Sequence, residues 1–231
     1  MVRDGRNMLI AGMVVAALTA FLLSASAIGA EWNSGMFASL LTWEPRRPRV
    51  LIAKTAACVV FFTDVGALII GYQLLSAAAL AQTRGSFDGM TGPVTHGLAG
   101  LVGRGIGLVA LTAAAGASLA GIARSTAGAM AILGGYLVAV ELAARNMLNG
   151  DTRWLLSTNA QALVTGRATV TWQGPGDPST VVGTLSGGPG SGQVEIHEYI
   201  VTAAHAAIVI AVIVAAVTVV HAVFLQRRDA N

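Results

Sequence analysis

The chain has 231 residues, 55% of them hydrophobic and only 11% charged, with a mean hydropathy of +0.69. A soluble domain carries about a quarter charged residues, so this composition excludes a water-soluble globular enzyme: lipid has to cover part of the apolar surface. The net charge of +3, from 14 Lys+Arg against 11 Asp+Glu, is too slight for nucleic acid, and the single cysteine, Cys58, excludes an intrachain disulfide.

A membrane-spanning helix needs about 20 mainly apolar residues, because the hydrocarbon layer is roughly 30 Å thick and each residue rises about 1.5 Å. Five stretches meet that length, at about 8–30, 50–81, 97–123, 126–144 and 199–225. The expected fold is all-α: a polytopic transmembrane bundle of five spans forming one transmembrane domain. The first connection, 31–49, is short and basic, with Pro45 and Pro48 among Glu44, Arg46, Arg47 and Arg49. Arg124 and Ser125 make a tight turn between the third and fourth spans. The one long connection, 146–198, is rich in Gly, Pro and Ser in its middle. Within it, a short helix is expected around 153–165 and an extended piece at Thr169 to Trp172.

Basic residues in short loops mark the cytoplasmic side. Arg46, Arg47, Arg49 and Lys54 share a side with Arg124, Arg227 and Arg228 by strict alternation, which puts the long loop and the N-terminus outside. The first 30 residues also carry the charged start, apolar middle and small residues (Ser24 to Ala27) of a secretory signal peptide. Cleavage there would turn the Arg46 cluster outward, against the positive-inside tendency.

Phe37, Leu40, Leu41 and Glu44 fall at helical spacing with Trp43 beside them, so 34–44 reads as a short amphipathic helix in the cytoplasmic interface. An ordinary basic interfacial loop has the same composition. Charges inside spans are costly and mark candidate sites: Asp64 in span two, Arg104 in span three, and Glu141 and Arg145 in span four. These either line a path or pair to hold the bundle; Glu141 and Arg145, four apart, lie on one helix face. Gly100, Gly103 and Gly107 are read as a close-packing face of span three, and Gly134-Gly135 as permitting a bend in span four. Glu195, His197 and Glu198, placed on a helix entry, point apart and are not expected to hold a metal.

The run Gly29-Ala30-Glu31-Trp32-Asn33-Ser34-Gly35, then Leu40-Leu41-Thr42, Glu44-Pro45-Arg46-Arg47, Arg49-Val50-Leu51 and Lys54 resembles the permease subunits of type II ABC exporters. The resemblance extends from about 8 to 228 and is most specific between Glu31 and Lys54. It implies a dimer of permeases, formed with a second copy or a paralogue, with separate P-loop ATPase subunits docked on the cytoplasmic face. The docking residues it implies are Phe37, Leu40, Leu41, Trp43, Glu44, Arg46 and Arg47. Members of that family have six spans with the N-terminus inside, so this chain is expected to lack the family's first transmembrane helix, either because it begins downstream of the family's usual start or because this member dispenses with that helix. No catalytic residue, metal ligand or cofactor is expected in the chain itself. Its only lysine, Lys54, follows Leu51-Ile52-Ala53 rather than a glycine cradle, and Gly187 to Gly192 has no lysine, so ATP would be bound by the partner subunit. The location implied is a cell membrane, bacterial by its Arg-, Ala- and Gly-rich composition. Other readings of the same spans are a non-transporting anchor or regulatory subunit and an independent small channel or carrier.

Overall fold

The computed structural model of the chain describes residues 2–36, 39, 47–84, 92–147, 151–173, 181–185 and 194–227. The helices are α1 (Val2–Asn33), α2 (Arg47–Arg84), α3 (Gly92–Ala123), α4 (Thr126–Gly135), α5 (Leu142–Met147), α6 (Leu156–Thr165) and α7 (Ala203–Arg227). A π-helical stretch, Tyr136–Glu141, joins α4 to α5, and three strands, β1 (Arg167–Gln173), β2 (Val181–Leu185) and β3 (Val194–Thr202), lie between α6 and α7. Five helical stretches are long and apolar enough to cross a membrane: Arg6–Asn33, Arg49–Leu80, Thr95–Ala123, Thr126–Met147 and Ala203–Leu225. The chain is a multi-pass helical membrane protein.

Two compact units divide it, one of residues 1–132 and 211–231, the other of 133–210. In the first, α1 packs on α2 and α3, and α2 packs on α3. Met13, Ala16, Ala20, Phe21 and Ile28 make the buried stripe of α1, at helical spacing. In lipid, apolar surface alone gives helices little reason to associate, and small residues allow the close packing that does. Gly105 of α3 therefore takes the Met13 sulfur, 2.6 Å from where a Cβ would stand, and Gly116 takes the Phe21 carbonyl and the Ser24 hydroxyl. The Ser24 hydroxyl is itself satisfied within α1, donating to the Phe21 carbonyl at 3.0 Å.

Two sequence expectations change here. Gly103 and Gly107 have no atom within 4 Å of a would-be Cβ, so the close-packed face of span three carries Gly105 and Gly116 instead. Two residues along a helix is about 200° round it at ~3.6 residues per turn, so the stripe Gly100, Gly103, Gly107 looks away from α1. The second change is at the fifth span. Tyr199 to Thr202 belong to β3, and the helix starts at Ala203, where Thr202 Oγ1 accepts the His205 N–H at 3.3 Å as an N-cap.

The second unit contains a three-stranded antiparallel sheet in the order β1-β3-β2. β1 pairs with β3 from Arg167↔Thr202 to Gln173↔Ile196, and the β2–β3 register shifts between Val181 and Gly183. The expected extended piece at Thr169 to Trp172 lies in β1, and the expected short helix is α6. That helix ends at Gly166, φ 96°, whose N–H bonds to the Ala162 carbonyl at 2.9 Å. The π-helical stretch directly follows Gly134-Gly135.

Gly116→Leu is expected to cost about 1–3 kcal/mol of stability through overpacking, lowering the thermal midpoint in detergent, whereas Gly103→Leu, at an open position, leaves it unchanged.

Candidate functional site at the Glu31–Lys54 end of the bundle

At one end of the first unit, four elements converge. α1 stops at Asn33, where the Ser34 and Gly35 N–H groups bond back to Ala30 and Trp32 carbonyls at 3.0 and 3.2 Å and Gly35 turns the chain at φ 72°. That φ is easy only for glycine. α2 enters at Arg47, and its Lys54 Nζ donates to a carboxylate oxygen of Glu31, both side chains about four-fifths buried at 20% and 22% exposure. Behind the pair, Trp32 packs with Ala222 against buried Leu51 and Leu225, so α7 is drawn in as well.

The turn between α3 and α4 completes the cluster. Arg124 sits at φ 54°, and its guanidinium lies 4.6 Å over the Trp32 ring, a cation–π contact that ties the turn to α1. Ser125 Oγ accepts the Gly128 N–H at 3.0 Å, capping α4, and Thr126 Oγ1 donates to the Ala25 carbonyl at 3.4 Å. A small pocket beside the turn is lined by Gly121, Ile122, Arg124, His221, Phe224 and Leu225. The His221 imidazole is buried against Gly121, and neither ring nitrogen has a partner among the described residues. Higher up, the Ser118 and Thr218 hydroxyls bond at 3.0 Å and join α3 to α7.

Of the expected docking residues, Phe37, Leu40, Leu41, Trp43, Glu44 and Arg46 lie outside the described residues, as does the interfacial helix they were expected to form; Arg47 opens α2. Asp64 is exposed on α2 and meets no hydrogen-bonding or charged partner among the described residues. Arg104 is part-buried on α3, its guanidinium 3.6 Å from the would-be Cβ of Gly100.

Glu141 and Arg145 belong to the second unit and converge on Ser157 instead of pairing with each other. Glu141, 5% exposed, accepts the Ser157 N–H at 2.9 Å, and Arg145 donates to Ser157 Oγ at 2.9 Å. Tyr136 Oη accepts the Leu156 N–H at 3.4 Å. The first N–H groups of α6, which no helix can satisfy internally, are thus taken by two side chains of the π-helical stretch. Glu141 thus caps the start of α6 within the second unit.

A second cluster in this unit was not legible from spacing. Asp151 holds Arg153 through Nε and Nη2 at 2.9 and 2.7 Å. The guanidinium lies 4.8 Å over Trp172 and 5.3 Å from the Tyr199 ring. Trp172 stacks on its cross-strand partner His197 at 5.1 Å and 16°. Asn159 Nδ2 ties the Arg153 and Leu155 carbonyls at 2.8 Å each. Glu195 and His197 are 3.5 Å apart, a correction to their expected divergence: on a strand, residues two apart share a face. Among the described residues no group of three or more His, Cys, Asp or Glu side chains is placed to hold a metal.

The geometry defines a helical membrane bundle with a locked end and a small mixed unit. No family model, curated protein or solved structure matches the chain.

Arg153 hydrogen-bonded to Asp151 holds that carboxyl below its ordinary value. A lowered folded-state value means the pair's stabilisation is complete above the ordinary carboxylate value of about 3.9 and disappears as pH falls through the lowered one. Acidification below about pH 4 is expected to loosen the Trp172 environment, read by near-ultraviolet circular dichroism. Asp151→Asn is expected to show the loosened signal already at neutral pH and to lose the acid step.

Proposed function

We propose that this chain is the membrane-spanning permease subunit of an ATP-driven exporter of the type II ABC class, working as a dimer with a separate P-loop ATPase. The observation that carries the reading is the Glu31–Lys54 pair. It ties together the two helices that bracket residues 34–46, the segment whose sequence resembles an ATPase-docking element. Arg124 over Trp32 extends the tie to the α3–α4 turn, and Leu51 with Leu225 extends it to α7. A push delivered by an ATPase to 34–46 therefore reaches every helix of the first unit through contacts at one end. In this reading that end is cytoplasmic, the 146–198 segment faces outward, and the membrane is a bacterial plasma membrane.

A second reading, a non-transporting anchor or regulatory subunit, draws on the bundle interior. Among the described residues of the first unit, the buried polar side chains are only Ser24, Ser118 and His221, which gives no polar path through one chain. The exporter reading answers this by placing the path between two copies.

The test is to purify the tagged full-length chain in mild detergent and identify its companions, for wild type and for Glu44→Ala/Arg46→Ala/Arg47→Ala. A P-loop ATPase that co-purifies with wild type and is lost with the triple variant is the expected result. A chain that inserts normally and never brings an ATPase sinks the exporter reading in favour of the anchor. Lys54→Glu is expected to uncouple ATP hydrolysis from transport while the ATPase stays bound, and Glu31→Lys/Lys54→Glu to restore coupling, because the reversed pair re-forms the tie.

A further inference from the structure

α3 and α7 meet around a buried imidazole at the Glu31–Lys54 end of the first unit. His221 of α7 is 2% exposed, and neither ring nitrogen has a hydrogen-bond partner among the described residues. It fits there because residue 121 of α3 is glycine: a Cβ at that position would run into the imidazole ring. A buried polar group left unpaired costs more than an ordinary hydrogen bond contributes, so a ring held this way needs a partner from outside the chain.

The imidazole faces space as well as packing. It lines a small pocket with room for about one water-sized group. Arg124, exposed at the α3–α4 turn, lines the same pocket while lying over the Trp32 ring. A guanidinium has five N–H donors, so a contact to a ring face and one to an anion are compatible. Phe224, 53% exposed, and half-buried Ile122 supply apolar lining. The spans Thr95–Ala123 and Ala203–Leu225 both end here, so the pocket stands at the depth where acyl chains give way to headgroups.

We propose that this pocket is a phospholipid site, in which one phosphate oxygen of a headgroup accepts hydrogen bonds from His221 and Arg124. An imidazole presents at least one N–H whether neutral or charged, so the floor of the pocket has a donor in either state. Arg124 supplies positive charge at the mouth, and basic pockets between transmembrane helices suit anionic headgroups. Only the oxygen enters; the rest of the headgroup stays outside, with the upper part of an acyl chain against Phe224 and Ile122. A water molecule satisfies the imidazole but makes no use of the cation or of the apolar lining, whereas a phosphodiester bearing acyl chains uses all three. The bound lipid joins α7 to the α3–α4 turn, and the site stands whether or not the chain works in an exporter.

The test follows the ring nitrogens of His221 by NMR in the purified full-length chain, which has four histidines; the His221 signals are those lost in His221→Gln. The chain is placed in nanodiscs of phosphatidylglycerol, in nanodiscs of a glycolipid with the same acyl chains and no phosphate, and in lipid-free detergent with inorganic phosphate. The His221 N–H signal is expected to be exchange-protected and shifted in phosphatidylglycerol alone, and Arg124→Gln to remove that difference. Mass spectrometry of the detergent-solubilised chain is expected to find a phospholipid retained by wild type. It is expected to be lost from His221→Phe, which keeps an aromatic ring, and from Gly121→Ala, which pushes the imidazole off α3. Identical His221 signals in the two kinds of nanodisc mean that water fills the pocket and overturn the site. The same shift from inorganic phosphate in detergent overturns the lipid as the source of the phosphate. Retention unchanged in both variants overturns the site as well, and the lipid exchange on the unaltered chain decides the matter if either variant fails to fold.

Discussion

A hydrocarbon layer accepts no unpaired hydrogen-bonding group without a cost of several kcal/mol, and most of this structure follows from that constraint. The backbone satisfies itself in helices of 25 to 38 residues at α1, α2, α3 and α7. Side-chain hydroxyls turn back on their own helix, as Ser24 does to Phe21 and Thr19 to Val15, or meet across helices, as Ser118 and Thr218 do. Among the described residues, charged groups meet partners at the bundle end and in the second unit: Glu31 with Lys54, Arg124 over Trp32, Asp151 with Arg153. Asp64, exposed midway along the Arg49–Leu80 span, stands outside the rule, at an insertion cost of about 2.5–3.5 kcal/mol for a charged residue at the helix centre.

The same constraint decides how much could be read from the sequence. The five spans were legible because twenty apolar residues in a row have one fate in lipid. Which face of each span packs inward was not. A helix that is apolar all round carries no amphipathic signal, so Gly103 and Gly105 looked alike, and only the position of Met13 on α1 distinguishes them. The boundary at Tyr199 failed for a related reason. Tyr199, Ile200 and Val201 are as apolar as the residues that follow, and strand pairing with Val170, Thr169 and Ala168 is a long-range fact that hydropathy does not contain.

At the candidate site the residues were visible and the pairings were not. Glu31 and Lys54 both lie in the stretch that carries the family resemblance, but they are 23 residues apart, on different helices. No helical or strand period links them. Arg124 was legible as a turn and not as the cation over Trp32. Glu141 and Arg145 satisfied the four-residue spacing of a helical pair, and a competing demand prevailed: the exposed N–H groups at the start of α6 need acceptors, and a π-helical stretch, with its wider turn, presents Tyr136 and Glu141 to them. Glu195 and His197 show the dependence on period most directly, since the same two-residue spacing separates side chains on a helix and aligns them on a strand.

Close packing and end-locking together determine what a force on the first unit can do. Interiors packed to the density of α1 on α3, where Gly116 receives a carbonyl and a hydroxyl at once, switch between discrete arrangements and do not deform continuously. With α1, α2, the α3–α4 turn and α7 joined at the Glu31–Lys54 end, a load on that end is shared among these helices and does not fall on one alone. In the proposed exporter, the path then lies between copies and not inside either bundle, whose described buried polar side chains are few.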